Sequence, residues 1–227
     1  MGVILNIDTS SELCSLVISR CNEVLSIKEL QKEQFVHAEQ LHLLINECLL
    51  ESNIDISTIN AIAVSSGPGS YTGLRIGVSA AKGLAYGLNV PLISVSTLES
   101  LCNGTTEKGF KGLFCPMIDA RRMEVYCALY DDHKQILKPI EAKVVEGTIY
   151  EEFSNQEIFC FGSGAEKCMQ YLNKNFTYIP NVIPSAKYMV PLSYAKFVNL
   201  QHENIALFEP LYLKDFIAGK PKNIFAE

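Results

Sequence analysis

The most informative stretch of the sequence is residues 65–77, which reads Ser65-Ser66-Gly67-Pro68-Gly69-Ser70-Tyr71-Thr72-Gly73-Leu74-Arg75-Ile76-Gly77. The run before it, residues 59–64, is short, apolar and not alternating, which predicts a strand buried on both faces. Glycine and proline then predict a turn, and the small residues that follow predict a helix over residues 70–88. A strand, a glycine-rich turn and a helix N-terminus therefore follow one another here.

This turn has two interpretations. Unpaired backbone N–H groups and the helix dipole can hold an anion at a helix N-terminus, which makes Gly67, Gly69, Ser70 and Gly73 candidate phosphate contacts. The alternative is a tight turn followed by close helix packing, because Gly-Pro-Gly is ordinary turn chemistry. The turn is not a P-loop, since no Gly-Lys-Ser/Thr follows.

The flanking segments predict further strands and helices. Three short β-type runs are separated by turn formers and predict successive hairpins, and a run with apolar residues at helical spacing predicts a long amphipathic helix. In chain order the predicted elements are strands 3–8, 13–19 and 23–29, helix 33–52, strand 59–64, helix 70–88, strand 91–95 and helix 98–102. The first hundred residues therefore have the order β-β-β-α-β-α-β, followed by a short helix.

The second half of the chain repeats this order after a polar, glycine-bearing boundary at residues 103–109. Strands are predicted at 113–119, 124–130, 134–145 and 158–161, a helix after Gly162-Ser163-Gly164, breaks at Pro180, Pro184 and Pro191, and a helix at 192–201. Two β-β-β-α units resemble the duplicated fold of actin, Hsp70 and sugar kinases (the ASKHA fold). We expect an α/β protein with lobes at 1–103 and 110–227, each with a small mixed sheet and flanking helices.

Composition limits the classes of function. Hydrophobic residues make up 48% of the 227-residue chain and charged residues 19%, enough for a substantial core. The net charge of −6 argues against a broad basic surface that would bind a nucleic-acid backbone unaided. We find neither a signal peptide nor an apolar run approaching ~18 residues, so we expect a cytoplasmic protein without a membrane span. The eight cysteines form no C-x-x-C pair and are expected to be reduced core residues.

The sequence resembles one family closely. Residues 67–77 resemble the G-P-G-S-[FY]-T-G-L-R-I-G signature of the TsaB family, also called YeaZ, and Ala81-Lys82-Gly83-Leu84-Ala85 continues the same block. Further agreement comes from Ile7-Asp8-Thr9-Ser10, from Val95-Ser96-Thr97-Leu98-Glu99 and from Met117-Ile118-Asp119-Ala120-Arg121-Arg122-Met123-Glu124-Val125-Tyr126. These blocks occur in the expected order over residues 3–130.

The resemblance implies a function. TsaB proteins are similar to the catalytic subunit TsaD and are understood as its non-catalytic partners, so no catalytic residue is expected here. With TsaD and the ATPase TsaE they are required for threonylcarbamoyladenosine formation in tRNAs that read codons starting with A. We expect a heterodimer with a TsaD homologue, a homodimer in isolation, and tRNA contact only through the complex. No intrinsic cofactor is expected, and ATP or ADP is a candidate ligand at the partner interface.

A metal site is not expected. TsaD-type enzymes bind a metal through an H-x-x-x-H pair on a helix, whereas this chain has His37 and His42. Five residues separate these two positions by about 140° around a helix, so both imidazoles cannot reach one ion.

The predicted helix 70–88 is rich in small residues and is a candidate partner surface. Small side chains let another helix approach closely, so many weak dispersion contacts accumulate. The candidate interface residues are Ser79, Ala80, Ala81, Gly83, Leu84 and Ala85, together with the helix 33–52. The sequence does not determine which of these residues point outward.

Two polar segments have alternative interpretations. Asp8, with Thr9 and Ser10, follows the first strand and either contacts a phosphate or only caps its own turn. Asp119-Ala120-Arg121-Arg122 is either an anion clamp, because paired guanidinium groups suit phosphate, or a solvated hairpin tip, and it can also be an interface.

The alternative function is that of an enzyme. An ATP-binding phosphotransferase or nucleotide hydrolase of the ASKHA fold would use Asp8 and the turn at residues 67–73 to hold phosphate. A peptidase is not indicated, since the sequence contains no H-E-x-x-H and no recognisable nucleophile motif.

Overall fold

The computed structural model describes residues 2–31, 37–105, 109–145 and 149–214, apart from the side chain of His37. These residues form two mixed five-stranded sheets with flanking helices. The predicted α/β fold with a duplicated arrangement is confirmed.

The first sheet has the strand order β3-β2-β1-β4-β5. Its strands are β1 (Val3–Asp8), β2 (Leu13–Arg20), β3 (Glu23–Gln31), β4 (Ala61–Gly67) and β5 (Leu92–Ser96). The first three strands pair antiparallel as successive hairpins, whereas β4 and β5 are parallel to β1. Helices α1 (His37–Ser52) and α2 (Tyr71–Leu88) pack on this sheet, whereas α3 (Thr97–Asn103) follows β5 and packs against the second sheet.

The second sheet repeats this topology with the order β8-β7-β6-β9-β10. Its strands are β6 (Leu113–Asp119), β7 (Glu124–Tyr130), β8 (Ile136–Val144), β9 (Ile158–Phe161) and β10 (Phe176–Tyr178). Helix α4 (Ala165–Cys168) lies between β9 and β10, and α5 (Ala186–Val198) follows β10. The short edge strand β10 was not predicted, because three residues are too few for a periodic pattern.

Helices cover both faces of the first sheet. Successive side chains of β1 point to opposite faces, so Leu5 packs with α1 and α2 whereas Ile4 packs with α5. Asn6, on the α5 face, is buried and accepts a 2.6 Å hydrogen bond from the Ser193 hydroxyl of α5. The carboxyl ends of β1 and β4 lead into the candidate site.

The position of α5 differs from the expectation. The sequence predicts a break at Pro191 and a helix at 192–201, but α5 contains Pro191 and ends at Val198. Ser185 caps its first turn by accepting from the Lys187 N–H, and Met189 and Val190 are buried against the first sheet. This packing outweighs the loss of one helical hydrogen bond at the proline. Helix α5, which lies within the predicted second lobe (residues 110–227), therefore packs on the first sheet.

The predicted helix 33–52 is observed from His37 to Ser52, and residues 33–36 lie outside the described residues. All but one of the cysteines are buried, the exception being the half-buried Cys21. Among the described helices, none has the length and apolar character to cross a membrane.

Candidate functional site

Packing of α2 against the turn after β1 explains two glycines of residues 65–77. A Cβ atom at Gly69 would clash with the Ser10 carbonyl oxygen, and one at Gly73 would clash with the Thr9 carbonyl oxygen. Both obstructing atoms belong to the backbone, which cannot move aside by changing rotamer. The fold of this chain therefore requires these two glycines.

Hydrogen bonds join the same two segments. The Ser70 N–H donates to the Ser10 carbonyl at 2.7 Å, and the Thr9 hydroxyl donates to the Gly73 carbonyl at 2.8 Å. The Ser70 hydroxyl accepts from the Gly73 N–H at 3.2 Å and so caps α2. Two N–H groups at the start of α2 are thus engaged within the chain.

Asp8 is buried at the end of β1 and orders this turn. Its Oδ1 accepts from the Ser10 N–H at 2.9 Å and from the Ser10 hydroxyl at 2.6 Å. Burial, with a smaller contribution from the Asp8 charge, raises the pKa of the nearby Cys14 thiol to about 12. The structure brings the predicted phosphate contacts into one region, namely Asp8, Thr9, Ser10, Gly67, Gly69, Ser70 and Gly73. Their use in holding phosphate stays a prediction.

A C-terminal strap, residues 203–214, lies over the turn. The Leu211 N–H donates to the Ser66 carbonyl at 2.8 Å, and Gly67 has a φ of 102° with the Leu211 carbonyl oxygen 3.1 Å from where a Cβ would lie. The Tyr212 ring lies 4.9 Å from that of Tyr71. No local sequence signal predicts this contact, because the two segments are far apart in the chain.

A groove separates α1 from α2. Its volume is about 600 Å³, and its lining residues are Ala38, Leu41 and His42 of α1 with Arg75, Ile76, Ser79, Ala80, Gly83 and Leu84 of α2. Small and apolar side chains predominate, and the groove is open to solvent. Four of the six predicted interface residues line it.

The other two predicted interface residues belong to the core. Ala81 and Ala85 are fully buried against the first sheet, so they cannot form a surface for a partner. Ser79 and Gly83 are exposed, whereas Ala80 and Leu84 are half-buried. Val78, Ala81 and Ala85 are spaced three and four residues apart, so they lie on the same face of α2, and this face packs on the sheet.

Gly83 differs from the glycines at the start of α2. A Cβ atom built at Gly83 meets nothing within 4 Å, and the same is true at Gly87. Glycine in a helix interior is less stable than alanine by about 0.5–1 kcal/mol. The described packing of this chain therefore gives no reason for glycine at position 83.

The two histidines considered for a metal site lie at and near the start of α1. His42 is exposed and lines the groove, whereas the side chain of His37 lies outside the described residues. Within the described ranges, no group of three or more His, Cys, Asp or Glu side chains is placed to hold a metal ion.

Comparison with known proteins identifies the family. The family model described as TsaD, tRNA N6-adenosine threonylcarbamoyltransferase, matches residues 29–221. The tRNA threonylcarbamoyladenosine biosynthesis protein TsaB of Escherichia coli K12 is 31% identical over 225 residues, which cover 96% of this chain and 96% of that protein. The chain belongs to the TsaB family, within the wider TsaD family. The resemblance carried by residues 67–77 is thus confirmed.

Two solved structures share the fold of this TsaB-family chain. A Pseudomonas aeruginosa protein described as similar to the peptidase YeaZ has a TM-score of 0.85 at 23% identity, covering 94% of this chain and 100% of its own. The inorganic polyphosphate/ATP-glucomannokinase from Arthrobacter sp. strain KM has a TM-score of 0.50 at 12% identity, covering 89% and 100%. At these identities the likeness shows the fold alone, namely the ASKHA fold of sugar kinases.

Proposed function

We propose that this chain supports threonylcarbamoyladenosine formation in tRNA as a non-catalytic subunit of a TsaD-type enzyme. The name of the E. coli relative and the match to the TsaD family model support the pathway. The proposal includes the ATPase TsaE as a further component, tRNAs that read codons starting with A as substrates, and tRNA contact through the assembled complex.

The observation that carries the proposal is the groove between α1 and α2. Exposed Gly83 and Ser79 would let the backbone of a partner helix approach α2 closely, which favours dispersion contacts. Glycine at position 83 has no packing role within the described residues. Close contact with a helix of another chain would explain why this position lacks a side chain. Beside the groove, Tyr86 leaves 80% of its surface exposed and would add a large contact. We propose this face for the TsaD homologue and, in isolation, for a homodimer.

The non-catalytic assignment rests on the sequence. His37 and His42 are five residues apart and do not reproduce the H-x-x-x-H pair of TsaD-type enzymes. ATP or ADP is proposed as a ligand of the partner interface rather than as a cofactor of this chain alone. The contacts proposed for it are Asp8, Thr9, Ser10, Gly67, Gly69, Ser70 and Gly73.

Co-purification with the TsaD homologue, combined with reconstituted tRNA modification, tests this proposal. Ser79→Arg and Gly83→Arg each place a bulky cation in the groove, so we expect folded proteins that no longer bind TsaD and no longer support modification. Ala195→Arg is the matched control, because Ala195 is an exposed small residue of α5 on the opposite face of the same sheet. We expect this control to assemble normally.

Three results would contradict the proposal. If both groove variants still dimerise and still pair with TsaD, the partner surface lies elsewhere. If the wild-type chain fails to bind TsaD under any condition, the proposed role as a partner subunit is wrong. Calorimetry of the isolated chain with ATP and magnesium tests the enzyme alternative, which tight binding and turnover by the chain alone would favour.

A further inference from the structure

The hairpin tip between β6 and β7 presents two arginines in an unusual backbone conformation. Arg121 has a φ of 68° and Arg122 a φ of 50°, and both side chains are exposed. This left-handed region is disfavoured for residues with a Cβ atom, and glycine and asparagine tolerate it best. Two arginines at such positions point to a use for their side chains rather than for their backbone.

Hydrogen bonds from Lys167 and to Asp119 hold the hairpin tip in place. Lys167 Nζ donates to Asp119 Oδ1 at 2.6 Å, to the Arg122 carbonyl at 2.7 Å and to the Glu124 carbonyl at 2.9 Å. Asp119 Oδ1 also accepts from the Arg121 N–H at 2.6 Å. These bonds fix the turn, so the two guanidinium groups are presented from an ordered backbone.

The local charge at the tip is positive. Lys167 pairs with Asp119, and Lys214 pairs with Glu124, so each carboxylate of the tip is neutralised by a lysine. Neither Arg121 nor Arg122 forms an ion pair with another described residue. Two uncompensated positive charges therefore lie side by side in a chain whose net charge is −6.

Aromatic side chains and a third arginine continue this surface through the strap. Lys214 Nζ lies 3.4 Å from the Ala120 carbonyl, next to the arginine pair. Two residues earlier in the strap, Tyr212 contacts Tyr71, and the Arg75 guanidinium lies 5.1 Å from the centroid of the Tyr71 ring. The arginine ridge, as we define it, comprises Arg75, Tyr71, Tyr212, Lys214, Arg121 and Arg122. It contains three of the four arginines of the chain.

We propose that the arginine ridge binds the phosphodiester backbone of the tRNA that the complex modifies. Guanidinium groups bind phosphate oxygens in a bidentate fashion, and aromatic faces accept stacked bases of unpaired nucleotides. The ridge combines both features on adjoining segments, namely α2, the strap and the turn between β6 and β7. This inference rests on the proposed role of the chain in tRNA modification and names the surface through which that role contacts RNA.

The test replaces the arginine pair by residues that suit its backbone. Arg121→Asn combined with Arg122→Gly removes both charges and relieves the left-handed strain, so the variant is expected to fold and to assemble with TsaD. Binding of a fluorescent tRNA whose anticodon reads an A-starting codon is measured for the complex from 0.1 to 1 M salt. Loss of two phosphate contacts reduces the slope of log K against log salt by about 1.4 to 1.8. This corresponds to roughly 25- to 60-fold weaker binding at 0.1 M salt, if binding at 1 M is unchanged.

Arg20→Asn is the matched control, because Arg20 is exposed at the β2–β3 hairpin, beside the start of β1 and away from the ridge. We expect its affinity and salt slope to equal those of the unmodified complex. Assembly, followed by gel filtration of the same samples, reports on the proposed function separately. If the complex does not form, the proposed function fails, whereas a complex that forms without the expected change in salt slope counts against the ridge alone.

Three outcomes would overturn the inference. In the first, the arginine-pair variant keeps the tRNA affinity and the salt slope of the wild-type complex. In the second, the wild-type complex binds no tRNA. In the third, the variant loses binding of a fluorescent ATP analogue while tRNA binding is unchanged, which would assign the arginines to a nucleotide phosphate instead.

Discussion

Alanine substitutions at two glycines of the same helix are expected to change stability in opposite directions. A Cβ atom at Gly73 would clash with the backbone carbonyl of Thr9, whereas one at Gly83 meets nothing within 4 Å. Overpacking in a well-packed site costs about 1–3 kcal/mol, and we take the upper part of this range because backbone cannot relax by changing rotamer. Alanine recovers about 0.5–1 kcal/mol of helix propensity at either position.

The net effects follow from these values. Gly73→Ala should lower the free energy of unfolding by about 1–2.5 kcal/mol, and Gly83→Ala should raise it by about 0.5–1 kcal/mol. For a chain of this size, 1 kcal/mol shifts Tm by about 2–4 °C, so a fall of about 2–10 °C and a rise of about 1–4 °C are expected.

The assay is urea unfolding followed by circular dichroism, at protein concentrations low enough to keep the chain monomeric, with thermal melts beside it. Gly83→Ala carries a second expectation, since a methyl group in the groove should weaken TsaD binding even though it stabilises the monomer. A Gly73→Ala protein as stable as the wild-type chain would refute the argument that close packing against the Thr9 carbonyl requires glycine at position 73. A Gly83→Ala protein that is less stable would show that position 83 is constrained within the chain.

Two further predictions concern pH and metal. Burial raises the pKa of Cys14 to about 12, whereas the unfolded thiol has a pKa of 9.0. Because the folded state holds the proton more tightly, the free energy of unfolding should fall as pH rises from 9 to 12. Cys14→Ala should make this decline shallower in unfolding titrations, and an unchanged decline would contradict the assignment. Elemental analysis of protein purified without chelator should show no stoichiometric zinc or iron, because His37 and His42 are out of phase on α1. One full equivalent of either metal would overturn this expectation.

The local elements were predictable because their signals are local. The alternating turns and β-type runs of the first thirty residues predicted the hairpins of β1, β2 and β3, and the helical spacing of residues 33–52 predicted α1. Residues 67–77 predicted the family, which the comparisons confirm. Pro191 misled the placement of α5, since burial of Met189 and Val190 against the first sheet outweighed the proline.

The order of strands and helices, the duplicated fold class and the family can all be read from the sequence, because periodicity, turn residues and a signature block act over short distances in the chain. Which small residues of α2 form a surface depends instead on how the folded chain packs. Ala81 and Ala85 face the sheet and Gly83 faces solvent, since the rotation of a helix about its axis is fixed by what it packs against. The same holds for Gly69 and Gly73, whose need for glycine comes from Thr9 and Ser10, about sixty residues earlier in the chain. Contacts between segments so distant leave no pattern in either segment alone.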